Sequence, residues 1–207
     1  MSLHIYTVHL ECFEVYGKKN YDYVEATVKA VRSKIGNGRE EKLHHWESMD
    51  KKVGIFPCRS FNLGEQTTSY PHVDQMNLAQ SWCSITPLGS FDHKSGGHFV
   101  LWDFKMVIEF PAGSTILIPS ALLIHSNTPI QPNETRHSIV QYAPGGLFRW
   151  KDCGFRTEKD FLASATHDDK QRYLSEQQRR WKEAVGMYTT LDELTIGVGL
   201  WGDRMSQ

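Results

Sequence analysis

A histidine and an aspartate lie two residues apart in the stretch SYPHVDQMN, at His72 and Asp74. Residues two apart in a β-strand point to the same side, so an imidazole and a carboxylate would face one point. Two histidines and one carboxylate bind Fe(II) in many non-haem oxygenases, and the remaining positions stay open for substrate and O2. The third ligand should lie well downstream on another strand. His125 meets this requirement, because it ends the most apolar run of the chain.

A second requirement is independent of the metal. An oxygenase that uses 2-oxoglutarate must hold the distal carboxylate of that co-substrate, and the planar fork of arginine grips a carboxylate with two charge-assisted hydrogen bonds. Arg136 lies eleven residues after His125, and the intervening SNTPIQPNE is long enough to turn and return a neighbouring strand. Ser138 and Tyr142 share its strand face, and Ser138 can add a hydroxyl donor. We therefore predict that Fe(II), 2-oxoglutarate and O2 act together in one site.

Each of these residues also has an ordinary structural interpretation. A His-x-Asp tripeptide occurs by chance, His125 could be a capping or core histidine, and Arg136 could be a solvated arginine of an exposed strand. Other histidines are available, because the chain contains ten. His98 and His137 are rivals, but the strand pattern puts them beside inward-facing positions. The joint occurrence of the three ligands and the arginine favours the oxygenase interpretation.

The elements that would position these residues are short β-strands, one of them carrying His72 and Asp74 at its middle. Residues 115–125 are continuously apolar, as expected for a strand buried on both faces. Short strands divided by glycine and proline turns are typical of a sandwich or a barrel. The other segments predicted as strands are 53–58, 59–64, 81–89, 96–104, 106–110 and 136–143.

Helical patterns flank this β-rich middle. Residues 20–34 have apolar side chains at 21, 24, 28 and 31, the spacing of an amphipathic helix, and Gly36 would end it. Residues 158–183 are highly charged, with apolar positions that indicate one or two helices. We predict one α+β domain over residues 1–207, in which a β-core at about 53–157 lies between helical flanks at about 20–35 and 158–190.

Composition limits the class of protein. The 207 residues are 40% hydrophobic and 23% charged, with a net charge of −1, so binding to nucleic acid or a membrane surface would need a local basic patch. The four cysteines are scattered without a C-x-x-C pair, which argues against a zinc finger. The first residues lack a signal-peptide pattern, and no apolar run approaches the ~18 residues of a membrane span. We expect an intracellular protein with free thiols and no membrane partner.

These motifs together resemble those of the TET/JBP dioxygenases, which oxidise the methyl group of a pyrimidine base in nucleic acid. The segments GGHFVLWDF, FPAGSTILIPSALLIHSN and QYAPGGLFRW are similar to the TET/JBP-type domains of mushroom-forming fungi. The resemblance covers residues 55–157, about half of the chain. The matching motifs are His72-x-Asp74-x-x-Asn77, then His125, then Arg136-x-Ser138-x-x-x-Tyr142.

The resemblance implies a double-stranded β-helix, the jelly-roll or cupin-like core, with flanking N- and C-terminal helices. It implies Fe(II) at the three metal ligands, and 2-oxoglutarate held by its far carboxylate at Arg136 and Ser138. Asn62 is a candidate for the near end of the co-substrate. Asn77 matches the position that hydrogen-bonds the edge of the target base, and Tyr142 matches the position that stacks on the flipped base.

The activity implied by the resemblance is oxidation of the methyl group of 5-methylcytosine in DNA to hydroxymethyl and further products. In TET enzymes a histidine that contacts the base follows the tyrosine by two residues, whereas this chain has Pro144 there. The same chemistry on N6-methyladenine, thymine, RNA, a protein or a small molecule stays open. Two non-enzymatic alternatives are a nucleic-acid-binding relative and a structural cupin-like barrel, neither of which would use the ligands and the arginine.

The expected partner is DNA with a flipped methylated base, bound by a monomer, and this substrate class in turn predicts a nuclear location. Flipping a base costs a few kcal/mol, of which stacking on Tyr142 would return about 1–3 kcal/mol. Contacts to phosphate would come from lysine and arginine. The candidates for these contacts are Arg149, Lys151, Arg156, Arg179, Arg180 and Lys182.

Overall fold

The computed structural model describes residues 11–36 and 54–194. These residues form two compact units. One unit is Phe56–Gly145, and the other comprises the described residues on either side of it, 11–36, 54–55 and 146–194. All the named strands lie in Phe56–Gly145, and the helices lie almost wholly in the other unit. The combination of helices with antiparallel sheets confirms the predicted α+β class.

The Phe56–Gly145 unit contains seven strands, and every pairing between them is antiparallel. They are β1 Cys58–Asn62, β2 Cys83–Ser90, β3 Phe99–Leu101, β4 Met106–Ile108, β5 Ile116–Ile118, β6 His125–Asn127 and β7 Thr135–Tyr142. One sheet has four strands in the order β1-β7-β2-β5, and the other has three in the order β4-β3-β6. Apolar side chains from both sheets form one core, which joins them by burying hydrophobic surface. Its buried members are Cys83, Ile85, Phe99, Leu101, Phe110 and Ile118.

Strand β7 carries Arg136 and Ser138 and pairs on both of its edges, with β1 on one side and β2 on the other. Both side chains are buried, whereas Thr135 is exposed and His137 is half-buried, as the strand period of two requires. The register sets Asn62 of β1 opposite Ser138. The sheet therefore delivers an arginine, a hydroxyl and an amide to one place.

The prediction of one doubly buried strand over residues 115–125 is wrong. The run forms β5 and β6, which belong to different sheets. A turn separates them, in which the N–H groups of Leu122 and Leu123 donate to the Pro119 carbonyl at 2.9 and 3.1 Å. Pro119 has no N–H to continue a ladder, and Leu122 is 53% exposed. His125 therefore begins a short strand instead of ending a long one.

The prediction that His72 and Asp74 lie at the middle of a strand is also wrong. The backbone of His72 forms an isolated antiparallel bridge with His125. Asp74 begins a turn, in which Asn77 N donates to the Asp74 carbonyl at 2.9 Å. The bridge and the turn, and not the period of a regular strand, place the two side chains on the same side.

The first helix, α1 Lys18–Gly36, confirms the helix predicted over residues 20–34. Val24, Val28 and Val31 occupy predicted apolar positions and are buried. Residues 11–16 are helical as well, and Phe13 within them is fully buried.

Three further named helices follow the strands, α2 Gly145–Asp152, α3 Glu158–Ser164 and α4 His167–Gly186, and residues 191–194 are helical as well. Helix α2 occupies residues predicted as the end of the β-core. The charged C-terminal segment forms two helices because Thr157 and Thr166 each accept a hydrogen bond from a backbone N–H of a new first turn. None of the helices in the described ranges is both long and apolar enough to cross a membrane. The four cysteines are free.

Candidate metal centre

Three side chains that can bind a metal converge in the Phe56–Gly145 unit. His72, Asp74 and His125 each offer one ligand atom, and these atoms lie within 4.8 Å of one another. His72 Nε2 is 3.6 Å from Asp74 Oδ1. The structure thus brings together the three residues that the sequence predicts as ligands. Two imidazoles and a carboxylate on one side of an ion leave its other side open for ligands that react.

The backbone holds the two histidines together. His72 N donates to His125 O at 3.1 Å, and His125 N donates to His72 O at 3.0 Å. In an antiparallel pair, such an exchange of bonds keeps opposite residues about 5.5 Å apart at Cα. The two imidazole centroids are 4.4 Å apart as a result. This bridge supplies the proximity that the predicted long strands would otherwise provide.

Each imidazole has one nitrogen engaged by a carbonyl. His72 Nδ1 is 2.7 Å from Tyr70 O, and His125 Nδ1 is 2.9 Å from Leu123 O. A carbonyl only accepts, so each Nδ1 is assigned as N–H, and the lone pair of the neutral ring lies on Nε2. Burial lowers the pKa of His125, which further favours its neutral form. Neutral imidazoles held in this way are typical of metal ligands.

The Asp74 carboxylate is bonded through its other oxygen. Asn77 Nδ2 donates to Asp74 Oδ2 at 3.1 Å and to Ser120 Oγ at 3.1 Å. Burial raises the pKa of the neighbouring Cys83 thiol to about 12, the Asp74 charge adds to this shift, and a hydrogen bond with Ser120 opposes it. The carboxylate is therefore bonded to an amide, and the thiol that it influences electrostatically is uncharged.

Arg136 has a guanidinium that the protein satisfies only in part. The residue is 3% exposed, its Nη1 donates to Thr67 O at 2.9 Å, and its buried Nε has no hydrogen-bond partner. Burial lowers the pKa of Arg136 to about 10, and no described carboxylate offsets this effect. The group stays charged at neutral pH, and a buried cation without an anion is energetically costly. Its surroundings therefore suit an anionic ligand.

One cleft of about 500 Å³ contains the triad and Arg136. Ser138 and Asn62 also line it, and Asn62 Nδ2 donates to Ser138 Oγ at 2.8 Å. Because Ser138 Oγ accepts this bond, its own proton is available to a ligand beside Arg136.

Asn77 and Tyr142, the two residues matched to base contacts, line the same cleft. The Tyr142 hydroxyl accepts a 3.5 Å hydrogen bond from Ser60 Oγ, and the side chain packs against the hydrophobic core. The amide of Asn77 is engaged by Asp74 and Ser120, as described above. Both residues have partners within the protein.

Asn127 is a buried residue of the cleft that the sequence interpretation missed. Its Oδ1 accepts from Ser69 N at 2.9 Å and from Ser69 Oγ at 2.8 Å, and its Nδ2 donates to Thr67 O at 3.4 Å. These bonds fix the segment whose Thr67 carbonyl holds Arg136. Asn127 follows His125 by two residues on β6, so the period-two argument applied to Ser138 would have found it.

The rival histidines do not line the cleft. His98 Nδ1 is 3.2 Å from Thr128 Oγ1, and His137 Nδ1 is 2.9 Å from Gly64 O. Each ring is thus engaged by its own local partner.

The six cations named as phosphate contacts all lie outside the Phe56–Gly145 unit. Among them, only the Lys182 side chain has no hydrogen bond, ion pair or ring contact with another described residue. Exposed ion pairs are weak, so phosphate could compete for the cations in them. The contacts are Arg149 with Glu158, Lys151 with Thr27, Arg156 with Cys153 and Ser164, Arg179 with Glu183, and Arg180 with Asp152.

No family model and no curated protein matches the chain. Among solved structures, it is similar to NgTET1 in complex with 5mC DNA, with 16% identity and a TM-score of 0.40 over 62% of this chain and 51% of that one. The matched region thus spans about half of the NgTET1 chain. It is also similar to a viral collagen prolyl hydroxylase of Paramecium bursaria Chlorella virus-1. The 2OG complex of that protein has 15% identity and a TM-score of 0.31, over 48% of this chain and 69% of that one.

Proposed function

We propose that the chain is an Fe(II)- and 2-oxoglutarate-dependent dioxygenase. One observation carries the proposal: the cleft that contains the His72, Asp74 and His125 triad also contains Arg136, a buried cation with an unbonded Nε. A triad alone would suit several metals, and a buried arginine alone would suit several anions. Their presence in one cleft matches a metal and a carboxylate-bearing co-substrate that bind side by side.

The donor atoms fit both groups. Two Nε2 lone pairs and Asp74 Oδ1 are suitable ligands for Fe(II). The Arg136 guanidinium and the Ser138 hydroxyl, which line the cleft, can donate to the far carboxylate of 2-oxoglutarate, and Asn62 is proposed to contact its near end. When bound, iron and co-substrate supply the oxidising chemistry, in which O2 and 2-oxoglutarate give succinate, CO2 and an oxygen atom inserted into a substrate C–H bond. The residues of the chain would bind these groups and orient them.

We propose that the two antiparallel sheets form a double-stranded β-helix around this cleft. The metal ligands come from the His72–Asp74 segment and from β6 of the three-stranded sheet, and Arg136 comes from β7 of the four-stranded sheet. A site that draws on both sheets in this way lies between them, as in the jelly-roll core implied by the resemblance.

The substrate that we propose is 5-methylcytosine in DNA, oxidised to hydroxymethyl and further products. The support is the TET/JBP resemblance at Tyr142, which lines the cleft. The cleft volume lies in the range of small-molecule sites, so a base would have to be flipped out of the duplex to enter it. This substrate would make the protein a nuclear enzyme, which we propose acts as a monomer.

A second candidate function keeps the chemistry and changes the substrate to a protein side chain or a small molecule. The charges of the cleft-bearing unit favour it. The cations of Phe56–Gly145 are Arg59, Lys94, Lys105 and Arg136, and its carboxylates are Glu65, Asp74, Asp92, Asp103, Glu109 and Glu134. The unit is thus net negative, and Arg136, the only cation that lines the cleft, is buried. A phosphate backbone finds little attraction on such a surface.

The class of enzyme is tested by succinate formation. The purified chain should convert 2-oxoglutarate to succinate only when Fe(II) is present, and His72→Ala should lose this activity because one of three ligands is gone. His98→Ala is the matched control, since His98 lies outside the cleft, and it should keep wild-type activity. Iron-independent succinate formation, or equal activity of His72→Ala and wild type, would reject the proposal.

The substrate is tested by mass spectrometry of products. Oligonucleotides that contain 5-methylcytosine, N6-methyladenine or thymine are incubated with the enzyme, Fe(II) and 2-oxoglutarate. Hydroxymethylcytosine as the dominant product supports the proposed substrate. Succinate formation without oxidation of any of the three bases supports the second candidate.

A further inference from the structure

The two oxygens of the Asp74 carboxylate have different surroundings. Oδ1 lies 3.6 Å from His72 Nε2, toward the point that the triad shares. Oδ2 accepts a hydrogen bond from Asn77 Nδ2 at 3.1 Å. A carboxylate that is held through one oxygen presents the other in a fixed direction, and contacts of this kind commonly set the orientation of metal ligands.

Asn77 is itself held by a buried group. Its Nδ2 donates a second hydrogen to Ser120 Oγ at 3.1 Å, and Ser120 is 1% exposed. The backbone closes the group, because Asn77 N donates to Asp74 O and Asp74 N donates to Ser120 O, each at 2.9 Å. Four hydrogen bonds therefore connect Asp74, Asn77 and Ser120.

The orientation of the Asn77 amide follows from its neighbours. A rotated amide would point its oxygen at the Asp74 carboxylate, so that two acceptors faced each other without a proton between them. Nδ2 must therefore face Asp74, and both of its hydrogens are engaged. No hydrogen of Nδ2 remains for the edge of a base.

The group is connected to a second ligand through the chain. Ser120 lies in the turn between β5 and β6, and His125 is the first residue of β6. The Pro119 carbonyl accepts from two N–H groups in this turn, which fixes its shape. Ser120 thus links the position of Asp74 to the turn that delivers His125.

We infer that Asn77 is a positioning residue for the metal, which directs Asp74 Oδ1 at the ion, and that Ser120 is the anchor through which Asn77 acts. The inference rests on the proposed function, since it concerns the proposed metal site. It differs from the base-edge contact that the TET/JBP resemblance implies for Asn77.

The test is a titration of the full chain with Co(II), followed by the visible absorption of the bound ion. Asn77→Ala should weaken Co(II) binding about tenfold or more and change the spectrum, because Asp74 is then free to rotate. Ser120→Ala should weaken binding less. Ser120→Ala should add little when Asn77 is already alanine, since Ser120 acts through the lost amide. Asn133→Ala, at an exposed asparagine in the loop before β7, is the matched control and should bind as wild type does.

The possible results separate this inference from the proposed function. Wild type that binds no Co(II) would remove the proposed metal site, and the inference with it. Wild type that binds Co(II), together with unchanged affinity and spectrum in Asn77→Ala, would leave the metal site standing and overturn the inference. If Asn77→Ala changed the preference among the three bases but kept its Co(II) affinity, Asn77 would be a base-contacting residue and the inference would be overturned. Additive losses in the double variant would overturn the role of Ser120 as anchor.

Discussion

The polar side chains of the cleft differ in how far the protein itself satisfies them. Asn127 is buried and has partners for both of its polar atoms, and Asp74 has one oxygen bonded and one directed at the histidines. Arg136 is buried too, yet its Nε has no partner. Most buried polar groups have a hydrogen-bond partner within the protein, and those that lack one are expected at sites where a ligand supplies it. Arg136 should therefore cost stability in the free protein and contribute it when an anion binds.

Replacing Arg136 with methionine should separate stability from binding. Arg136→Met removes an unpaired buried charge and keeps most of the side-chain volume, so the Tm of the free protein should rise by several degrees. With Co(II) present, 2-oxoglutarate at a hundredfold excess over its Kd should stabilise wild type by about 2.7 kcal/mol. The variant should show no such gain. Thermal melting with and without 2-oxoglutarate measures both effects.

Arg59→Met is the matched control for this prediction. Arg59 lies on β1 and does not line the cleft, and its Nε donates to Gln141 Oε1 at 3.0 Å. Its loss should lower the Tm slightly and leave the response to 2-oxoglutarate intact. A wild-type response in Arg136→Met would show that the co-substrate is not held by this arginine.

At the scale of elements, local signals sufficed for some parts of the molecule and not for others. Helix α1 and strand β7 follow from periodicity, which is a property of neighbouring residues. The break of 115–125 into β5 and β6 depends on which sheet each half joins, and an apolar run gives no information on that choice. The His72 bridge joins residues that are distant in sequence, so no local pattern contains it.

The candidate site was also predictable only in part. The ligands and Arg136 are found because a metal and a carboxylate require particular residue types at wide spacings. The contact of Asn77 with Ser120 spans 43 residues and depends on the unforeseen turn after β5, so the sequence could not indicate it. Sequence reasoning thus identifies groups with distinctive chemistry and misses ordinary polar residues that orient them.

Gly89 should be needed for the close pairing of β2 with β7, because it lies opposite Arg136 in that pair. Its φ is +115°, and a Cβ there would lie 2.3 Å from Thr135 O. Gly89→Ala should therefore lower the free energy of unfolding by roughly 2–5 kcal/mol, from backbone strain and from displacement of β7. It should also weaken the stabilisation by 2-oxoglutarate. Urea unfolding measures the first effect, and thermal melting measures the second.

Gly113→Ala is the control that isolates the contact from the backbone strain. Gly113 also has a positive φ, +85°, but a Cβ there meets nothing within 4 Å. Its replacement should cost only about 1 kcal/mol and leave the 2-oxoglutarate response unchanged. Equal losses of stability in the two variants would show that contact with Thr135 has no part in the effect.

At the scale of the whole molecule, charge is the property that bears on the substrate. The chain carries a net charge of −1, and the cleft-bearing unit is net negative. Most of the cations suited to phosphate are in contact with other groups of their own unit. A nucleic acid would therefore gain little from long-range attraction, and recognition would depend on the cleft itself.

The salt dependence of DNA binding follows from this distribution. With so few cations available, we expect about two phosphate contacts. Affinity for a methylated duplex should then fall roughly tenfold between 50 and 200 mM salt. Proteins that make six or more phosphate contacts lose ~10³-fold or more over the same range.

Lys182→Gln should reduce the slope of log Kd against log salt by about 1, because the Lys182 side chain is exposed and has no polar partner among the described residues. Lys94→Gln, an exposed lysine of the cleft-bearing unit, should leave the slope unchanged. Fluorescence anisotropy at several salt concentrations measures the slope. A flat affinity would mean that phosphate contacts do not hold the substrate, and would favour the protein or small-molecule candidate over DNA.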